Sequence, residues 1–128
     1  MSAHDAFRAA IEAADHEGIV ATLAPGAVLR SPVSFKPFEG REAVAALMEV
    51  LLKTFKDFHY TDAQEADGVS LLVFNARVGE RDVEGVDLIR WNADGQAAEI
   101  TVFVRPLSAV IALAEAVGPQ LEGAGLAH

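Results

Sequence analysis

The sequence contains no cysteine, so disulfides, thiolate nucleophiles and cysteine-ligated zinc sites are excluded. Basic residues are also scarce: 10 Lys and Arg stand against 19 Asp and Glu, which gives a net charge of -9. A chain of this charge repels phosphate backbones and anionic lipids, so we expect no nucleic-acid and no membrane partner. No apolar run approaches the roughly 20 residues of a membrane span, and no basic segment leads into an apolar one, which together predict a cytoplasmic protein.

The length of 128 residues predicts one domain over residues 1–128. With 52% hydrophobic and 23% charged residues, the composition is typical of a globular protein with a real core. The acidic excess is explained by the need to keep so apolar a chain in solution. Residues 119–128 follow a helix-ending Gly-Pro pair, and we expect them to form a flexible tail.

The four histidines do not form a metal site by spacing. They fall near helix starts, at a strand edge and at the last position: His4, His16, His59 and His128. No two of them have the spacing of metal ligands, and none has an evident route to a serine that would make a catalytic triad. We therefore expect no metal, and no cofactor is implied.

Three helices are predicted in the first half of the chain. Ser2 or Asp5 can cap the first helix, whose apolar residues recur at helical spacing. Asp15 can cap a short second helix, which "APG" at 24–26 is expected to end. The third, over 41–55, carries an apolar stripe of about four turns and is the most strongly patterned.

Strands follow with a period of two. A short strand "AVLRSPVSF", ended or bent by Pro32, and a loop "KPFEG" precede the third helix. After that helix, the segments "DFHYTDAQEA", "VSLLVFNARVG", "DVEGVDLIRW" and "AEITVFVRP" are joined by hairpin-type turns and predict an antiparallel meander. A last helix over 108–117 is expected to end at Gly118. This order predicts an α+β protein with helices on one sheet face.

The other face of the predicted sheet is only partly polar. Val86 and Leu88 lie there on the third meander strand, and Thr101 and Phe103 lie there on the fourth if the alternation holds. An exposed apolar patch of this size favours association, and a homodimer through the outer sheet face is the simplest arrangement.

One carboxylate interrupts the apolar face of the strand "VEGVDLIRW". Asp87 shares its side of the strand with Val83, Gly85, Ile89 and Trp91. Because an isolated buried carboxylate costs several kcal/mol or more, Asp87 has to be paired, hydrated or protonated. Each of these three states implies a different role.

The segments "VLRSPVSF" and "GVDLIRWNADGQAAEITVFV", in this order of helices and strands, resemble the ketosteroid isomerases and SnoaL-like polyketide cyclases of the nuclear transport factor 2-like superfamily. The similarity covers roughly residues 5–105. It implies a cone-shaped barrel, in which a curved antiparallel sheet and N-terminal helices on its concave face enclose an apolar pocket. The C-terminal helix, predicted from its own pattern, is added to this barrel. The superfamily uses such pockets for isomerisation, cyclisation, dehydration or binding, so the resemblance does not fix the reaction.

The resemblance retains one of three catalytic groups of the isomerases. Their general-base Asp before Pro-Val corresponds to Ser31 here, and their helix Tyr corresponds to Phe7. Their protonated Asp, which donates a hydrogen bond to the developing oxyanion, corresponds to Asp87. A serine hydroxyl has no base strength near neutral pH, so we do not expect classical ketosteroid isomerase activity.

Asp87 and Ser31 are the candidate catalytic residues. In an apolar pocket the pKa of Asp87 is expected to rise, so that the neutral acid can donate a hydrogen bond to a ligand carbonyl or hydroxyl. Alternatively, Asp87 is a structural carboxyl satisfied by a neighbouring group. Ser31 is the weaker candidate, because a polar residue before a proline more often shapes a bend.

The remaining candidates are apolar residues that would line the pocket, although residues at such spacings often belong to the core. They are Phe7, Val33, Phe35, Met48, Leu52, Phe74, Trp91, Ile100, Val102 and Val104. The helix over 108–117 has no counterpart in the isomerases. It can cover the mouth of the cone or extend a dimer interface, and we favour the interface.

Two functions remain open from the sequence. The first is binding of a small apolar molecule that carries a carbonyl or hydroxyl, with or without isomerase-, cyclase- or dehydratase-type proton transfer at Asp87. The second is a non-catalytic dimeric binding or interaction module, whose pocket is filled by its own side chains. The size of the pocket separates the two.

Overall fold

The computed structural model describes residues 2–126, which form four helices and six strands. The helices are α1 (Ala3–Glu12), α2 (His16–Thr22), α3 (Arg41–Thr54) and α4 (Leu107–Gly123). The strands are β1 (Leu23–Arg30), β2 (Phe38–Glu39), β3 (Lys56–Ala66), β4 (Val69–Val78), β5 (Arg81–Trp91) and β6 (Ala97–Arg105). The predicted α+β class is confirmed, with helices packed on a curved sheet.

The six strands form one sheet in the order β2-β1-β6-β5-β4-β3. Strands β3 to β6 are the predicted antiparallel meander, because each pairs antiparallel with its neighbour in sequence. Two details of the predicted barrel were wrong. The sheet remains open, and it is mixed because β1 runs parallel to β6. Parallel strands need a long crossover, which α3 and the meander supply here.

Side chains of the meander alternate between a buried and an open face, as predicted from the period of two. On β5, Val83, Gly85, Asp87 and Ile89 are buried, and their neighbours are half-buried or exposed. Helices α1 and α3 cover the buried face. Their apolar sides carry Phe7, Ala10 and Ile11 on α1 and Val44, Ala45, Leu47 and Met48 on α3. The core therefore lies between the helices and the concave face of the sheet.

The boundary between α2 and β1 differs from the prediction. The segment "APG" was expected to end a helix, but it lies inside β1, where the pairing with β6 shifts between Leu23 and Val28. Such an irregularity tolerates a proline within a strand, because the missing N–H breaks no ladder bond there. The Arg41 guanidinium also binds the Leu23 carbonyl at 2.9 and 3.0 Å, which fixes the start of the strand.

Two further boundaries were wrong. The segment "KPFEG" was expected to be a loop, yet Phe38–Glu39 pairs with β1 as the short edge strand β2. The last helix was expected to end at Gly118, yet α4 continues through Pro119 to Gly123. The Gln120 side chain donates to Thr54 Oγ1 on α3 at 2.9 Å, and Leu121 packs against the core, so tertiary contacts extend the helix past the proline. The flexibility expected for 119–128 stays a prediction, and residues 127–128 lie outside the described range.

No helix among residues 2–126 is both long enough and apolar enough to cross a membrane.

A glycine on β5 makes room for an aromatic ring. A Cβ at Gly85 would overlap the Phe74 ring on β4 and crowd the Phe103 carbonyl oxygen. We therefore expect Gly85→Ala to lower the free energy of unfolding by about 1–3 kcal/mol, the usual cost of overpacking. Urea denaturation measures this loss. Gly26→Ala on β1 is the matched control, because its Cβ meets no atom within 4 Å. Equal stability of the two variants would contradict this account of the packing.

Candidate functional site

Asp87 lies at the centre of the sheet, on its concave face. It pairs with Leu72 of β4 and Val102 of β6, which are both buried. Only 9% of the residue is exposed. Burial removes bulk water from around the carboxyl, so its stabilising partner has to be a protein group, a ligand or an enclosed water molecule.

The side chain that contacts the Asp87 carboxyl is Tyr60. Its hydroxyl donates a hydrogen bond of 3.1 Å to Asp87 Oδ2, and the ring is buried. Tyr60 lies on β3, two strands away, and packs edge-on against Phe58 with 5.1 Å between ring centroids. The Arg8 guanidinium of α1 lies 5.8 Å from the centre of the Tyr60 ring, on the way to solvent. Tyr60 thus holds one carboxyl oxygen and leaves Oδ1 available to a ligand.

Tyr60 was not among the predicted site residues. One signal in the sequence pointed to it: Tyr60 shares its face of the strand with Phe58, in a segment whose other residues are mostly polar. The hydrogen bond between Tyr60 and Asp87 could not be predicted from the sequence, because it joins two strands that β4 separates and depends on the curvature of the sheet.

Burial sets the protonation of this pair. Desolvation raises the pKa of Asp87 from 3.8 to about 7, and the hydrogen bond from Tyr60 acts in the opposite direction. Burial and the nearby Asp87 charge raise the pKa of Tyr60 well above its usual 10.0, so the phenol keeps its proton and remains a donor. Near neutral pH, Asp87 is therefore present both as a carboxylic acid and as a carboxylate.

An inner cavity of about 40 Å³ opens beside the Asp87 carboxyl. This is more than the roughly 10–15 Å³ that one water molecule needs. Among residues 2–126, Asp87 is the one polar residue on its walls, which otherwise consist of Ile11, Leu29, Met48, Leu51, Leu52, Phe55, Phe58, Phe74, Ile100 and Val102. The cavity therefore offers a single polar contact in an apolar surrounding.

A larger outer cavity of about 150 Å³ lies beneath α4. Its walls come from α3, α4, β1 and the loop after β1, and it shares Leu29, Leu51, Phe55 and Val102 with the inner cavity. The inward side of α4 therefore forms one wall of the outer cavity, whereas no α4 residue among the described ones lines the inner cavity. The outward side exposes Leu107 and Ile111, so a role in an interface remains open as well.

Six of the predicted pocket residues line these cavities. Met48, Leu52, Phe74, Ile100 and Val102 are on the inner walls, and Val33 is on the outer wall. The other four lie elsewhere. Phe7 and Trp91 meet edge-on at 6.1 Å between ring centroids and fill the core, where α1 crosses the sheet.

The remaining two predicted pocket residues, Phe35 and Val104, lie outside both cavities. Phe35 is 97% exposed, because the loop between Pro32 and Pro37 turns it away from the sheet. Val104 lies near the end of β6, beside Phe103 and Arg105, beyond the reach of the inner cavity.

Ser31 shapes a turn and does not approach Asp87. Its hydroxyl oxygen accepts from the backbone N–H of Ser34 at 3.1 Å and of Val33 at 3.3 Å. Ser31 borders the outer cavity, whereas Asp87 borders only the inner one. The local bend considered from the sequence thus accounts for the hydroxyl.

A second buried polar cluster was missed from the sequence. Ser70 Oγ, fully buried on β4, lies 2.7 Å from His4 Nδ1 and accepts from Trp91 Nε1 at 2.8 Å. These bonds join the start of α1 to the sheet and give partners to Ser70 Oγ, Trp91 Nε1 and His4 Nδ1. Within residues 2–126, no cluster of His, Asp and Glu is arranged to hold a metal ion.

We predict that carbon-13 NMR titration of the Asp87 carboxyl gives a pKa of about 7. Tyr60→Phe should raise this pKa further, because the hydrogen bond that it removes stabilises the carboxylate form of Asp87. Thr61→Val, which removes a hydroxyl from the exposed neighbour on the same strand, is the control and should leave the pKa of Asp87 unchanged. A value near 4 in the native chain would contradict a desolvated carboxyl.

Comparison with known proteins supports this architecture. A family model for the SnoaL-like domain matches residues 4–100. No curated protein matches the chain significantly. The chain is similar to a solved steroid delta-isomerase from Pseudomonas aeruginosa, at 36% identity and a TM-score of 0.90, over 98% of this chain and 93% of that one.

Two further solved structures share the fold. An uncharacterised protein with a cystatin-like fold from Silicibacter pomeroyi is 29% identical, with a TM-score of 0.90 over 94% of this chain and 85% of that one. An NTF2-like protein of unknown function from Mesorhizobium loti is 18% identical, with a TM-score of 0.73 over 81% of this chain and 88% of that one. The resemblance drawn from the sequence is confirmed: this chain belongs to the SnoaL-like domain family, within the nuclear transport factor 2-like superfamily.

Proposed function

We propose that this chain is a cytoplasmic protein that binds a small, largely apolar molecule bearing a carbonyl or hydroxyl group. The observation that carries the proposal is a buried carboxyl that, among the described residues, is the single polar group on the wall of an apolar cavity. Desolvation there raises the pKa of Asp87 to about 7. In water-poor surroundings, a hydrogen bond from such a group to a ligand is strengthened. An apolar cavity with one convergent polar group is typical of a ligand site.

The protonated form of Asp87 is the binding form in this proposal. With Tyr60 donating to Oδ2, the acidic proton on Oδ1 is free to point toward the ligand oxygen. Negative charge that develops on a ligand carbonyl would be stabilised by this donor, as in an oxyanion hole. The same contact serves plain binding when no reaction follows.

If a reaction follows, we assign it to the proton-transfer classes: isomerisation, cyclisation or dehydration. A pKa near the working pH suits a group that both gives and takes protons. The similarity to a protein named steroid delta-isomerase favours this class. However, Asp87 is the only ionisable residue that the described part of the chain places on the inner wall, and Ser31 is engaged in a turn. In a proton-transfer reaction, Asp87 would therefore both donate and accept the proton, whereas the classical isomerases have a separate general base.

One observation favours the alternative of a non-catalytic module. The inner cavity is far smaller than the roughly 300–1,000 Å³ of common ligand pockets. If the protein's own aromatic side chains fill the cone, only a small cavity of this kind is left. The outer cavity, which shares four wall residues with the inner one, is the reason that we prefer ligand binding.

Binding of a small cyclic ketone such as cyclohexanone should depend on pH through Asp87. Because only the protonated acid donates, the affinity should fall about tenfold between pH 6 and 8, as the carboxyl with a pKa of about 7 ionises. Titration followed by NMR chemical shifts measures this dependence. Asp87→Asn keeps a donor and should bind without pH dependence. Asp82→Asn, at an exposed position of the same strand, is the control. A pH-independent native affinity would contradict the proposed role of Asp87.

We also propose a homodimer through the open sheet face. On this face Leu71 and Phe103 are 42% and 55% exposed, with half-buried Val86 and Leu88 between them. The strands carrying these residues are adjacent in the sheet, so the apolar side chains form a continuous strip. Two copies related by a two-fold axis would cover it from both sides.

Sedimentation at micromolar concentration should therefore show a dimer. Phe103→Glu places a charge in the strip and should shift the species to a monomer. Ile111→Glu makes the same kind of change at a comparably exposed position of α4 and should leave the dimer intact. Dissociation by Ile111→Glu alone would instead locate the interface at α4, and a native monomer would remove the proposal.

A further inference from the structure

The two cavities are adjacent and share part of their walls. The inner one, of about 40 Å³, carries Asp87, and the outer one, of about 150 Å³, lies under α4. Leu29, Leu51, Phe55 and Val102 line both and therefore lie between them, and we call these four side chains the neck. A ligand that occupies both cavities has to be narrow where it passes these four side chains.

The inner and the outer cavity differ in the polar groups that they offer to a ligand. Asp87 offers its free carboxyl oxygen in the inner cavity, close to apolar and aromatic walls. In the outer cavity, the polar residues lie at one side: the hydroxyl of Ser31 is already used in its turn, half-buried Ser34 belongs to the same turn, and the exposed Glu122 stands at the solvent edge. The interior of the outer cavity therefore favours hydrocarbon.

We propose that the ligand is a straight-chain aliphatic carbonyl compound, whose carbonyl oxygen meets Asp87 in the inner cavity and whose hydrocarbon chain passes the neck into the outer cavity. This inference rests on the proposed function, from which it takes the carbonyl at Asp87. The inner cavity has room for a small head group, and the larger outer cavity holds the tail.

A rigid fused-ring ligand does not suit this shape. It is as wide at its middle as at its ends, so it would have to displace the side chains of the neck. Leu29 and Val102 are buried on strands in the middle of the sheet, and displacing close-packed side chains is costly. A flexible chain requires no such displacement.

Helix α4 offers a position where the outer cavity can be filled without disturbing the neck. Gly118 borders this cavity, and a Cβ added there would meet no atom within 4 Å. Leucine is also a better helix former than glycine, so Gly118→Leu should fold. Gly123→Leu is the matched control, because Gly123 ends the same helix, is exposed and lies outside the cavity, with equal space for a Cβ.

The test is calorimetric titration with straight-chain methyl ketones of four, six, eight and ten carbon atoms. In the native chain, the affinity should rise about fourfold for each methylene that enters the outer cavity, the ratio expected for burying one CH₂ group. Gly118→Leu should bind the four-carbon ketone with the affinity of the native chain. Its affinity for the ten-carbon ketone should be at least tenfold lower than that of the native chain. Gly123→Leu should reproduce the native series.

A second variant, Ala114→Leu on the same wall, should repeat the effect of Gly118→Leu, and circular dichroism verifies that both variants are folded. The inference is overturned if native affinity does not change along the series, or if a fused-ring ketone of ten carbon atoms binds as tightly as the straight chain. In either case, Asp87-dependent binding of the four-carbon ketone leaves the proposed function standing. If no ketone binds, or if Asp87→Asn changes no affinity at any pH, the proposed function fails with it.

Discussion

The burial of one carboxyl group against an apolar sheet face is the constraint on which the site depends. Asp87 has strands on both sides, and Tyr60 is the one side chain among the described residues that hydrogen-bonds its carboxyl. Its folded-state pKa of about 7 lies above its ordinary value of 3.8, so the folded chain binds a proton more tightly than the unfolded one. The resulting stability is complete below pH 3.8 and is lost as the pH rises through about 7. A ligand that accepts a hydrogen bond from the acid would offset part of this loss.

Neighbouring residues on the sheet keep the Asp87 carboxyl buried, although its burial is unfavourable. Gly85 lets the Phe74 ring lie against β5 beside Asp87, and the aromatic rings of Phe55, Phe58 and Phe74 lie within 6 Å of one another along the inner cavity. Aromatic side chains bury much area with few rotatable bonds, so they keep the cavity walls rigid. The polar cluster of Ser70 with its partners fixes α1 on the sheet separately, and its atoms do not face the cavity.

Much of the fold was predictable because its signals are local. The period of two along β3 to β6 and the apolar stripe of α3 depend on residues close in sequence, and both predictions were confirmed. The errors occurred where distant contacts override local rules: Pro25 sits in a strand irregularity beside β6, and Pro119 lies in a helix that Gln120 joins to α3. Alternation marked Asp87 as an unusual buried carboxyl, and the family resemblance made it a candidate site residue. Its partner Tyr60 was not a candidate, because no local pattern reports which residues meet across an intervening strand.

The parallel pairing of β1 with β6 also bears on how the chain folds. Leu29 pairs with Ile100, about 70 residues away, whereas each pair in the meander joins neighbouring segments. Closing so long a loop carries an entropic cost that local hairpins avoid, so we expect the meander to form before β1 docks. Leu29 belongs to β1 and lines both cavities. The binding site therefore comes into existence only with the last long-range contact, and a ligand that occupies it would select fully folded molecules over partly folded ones.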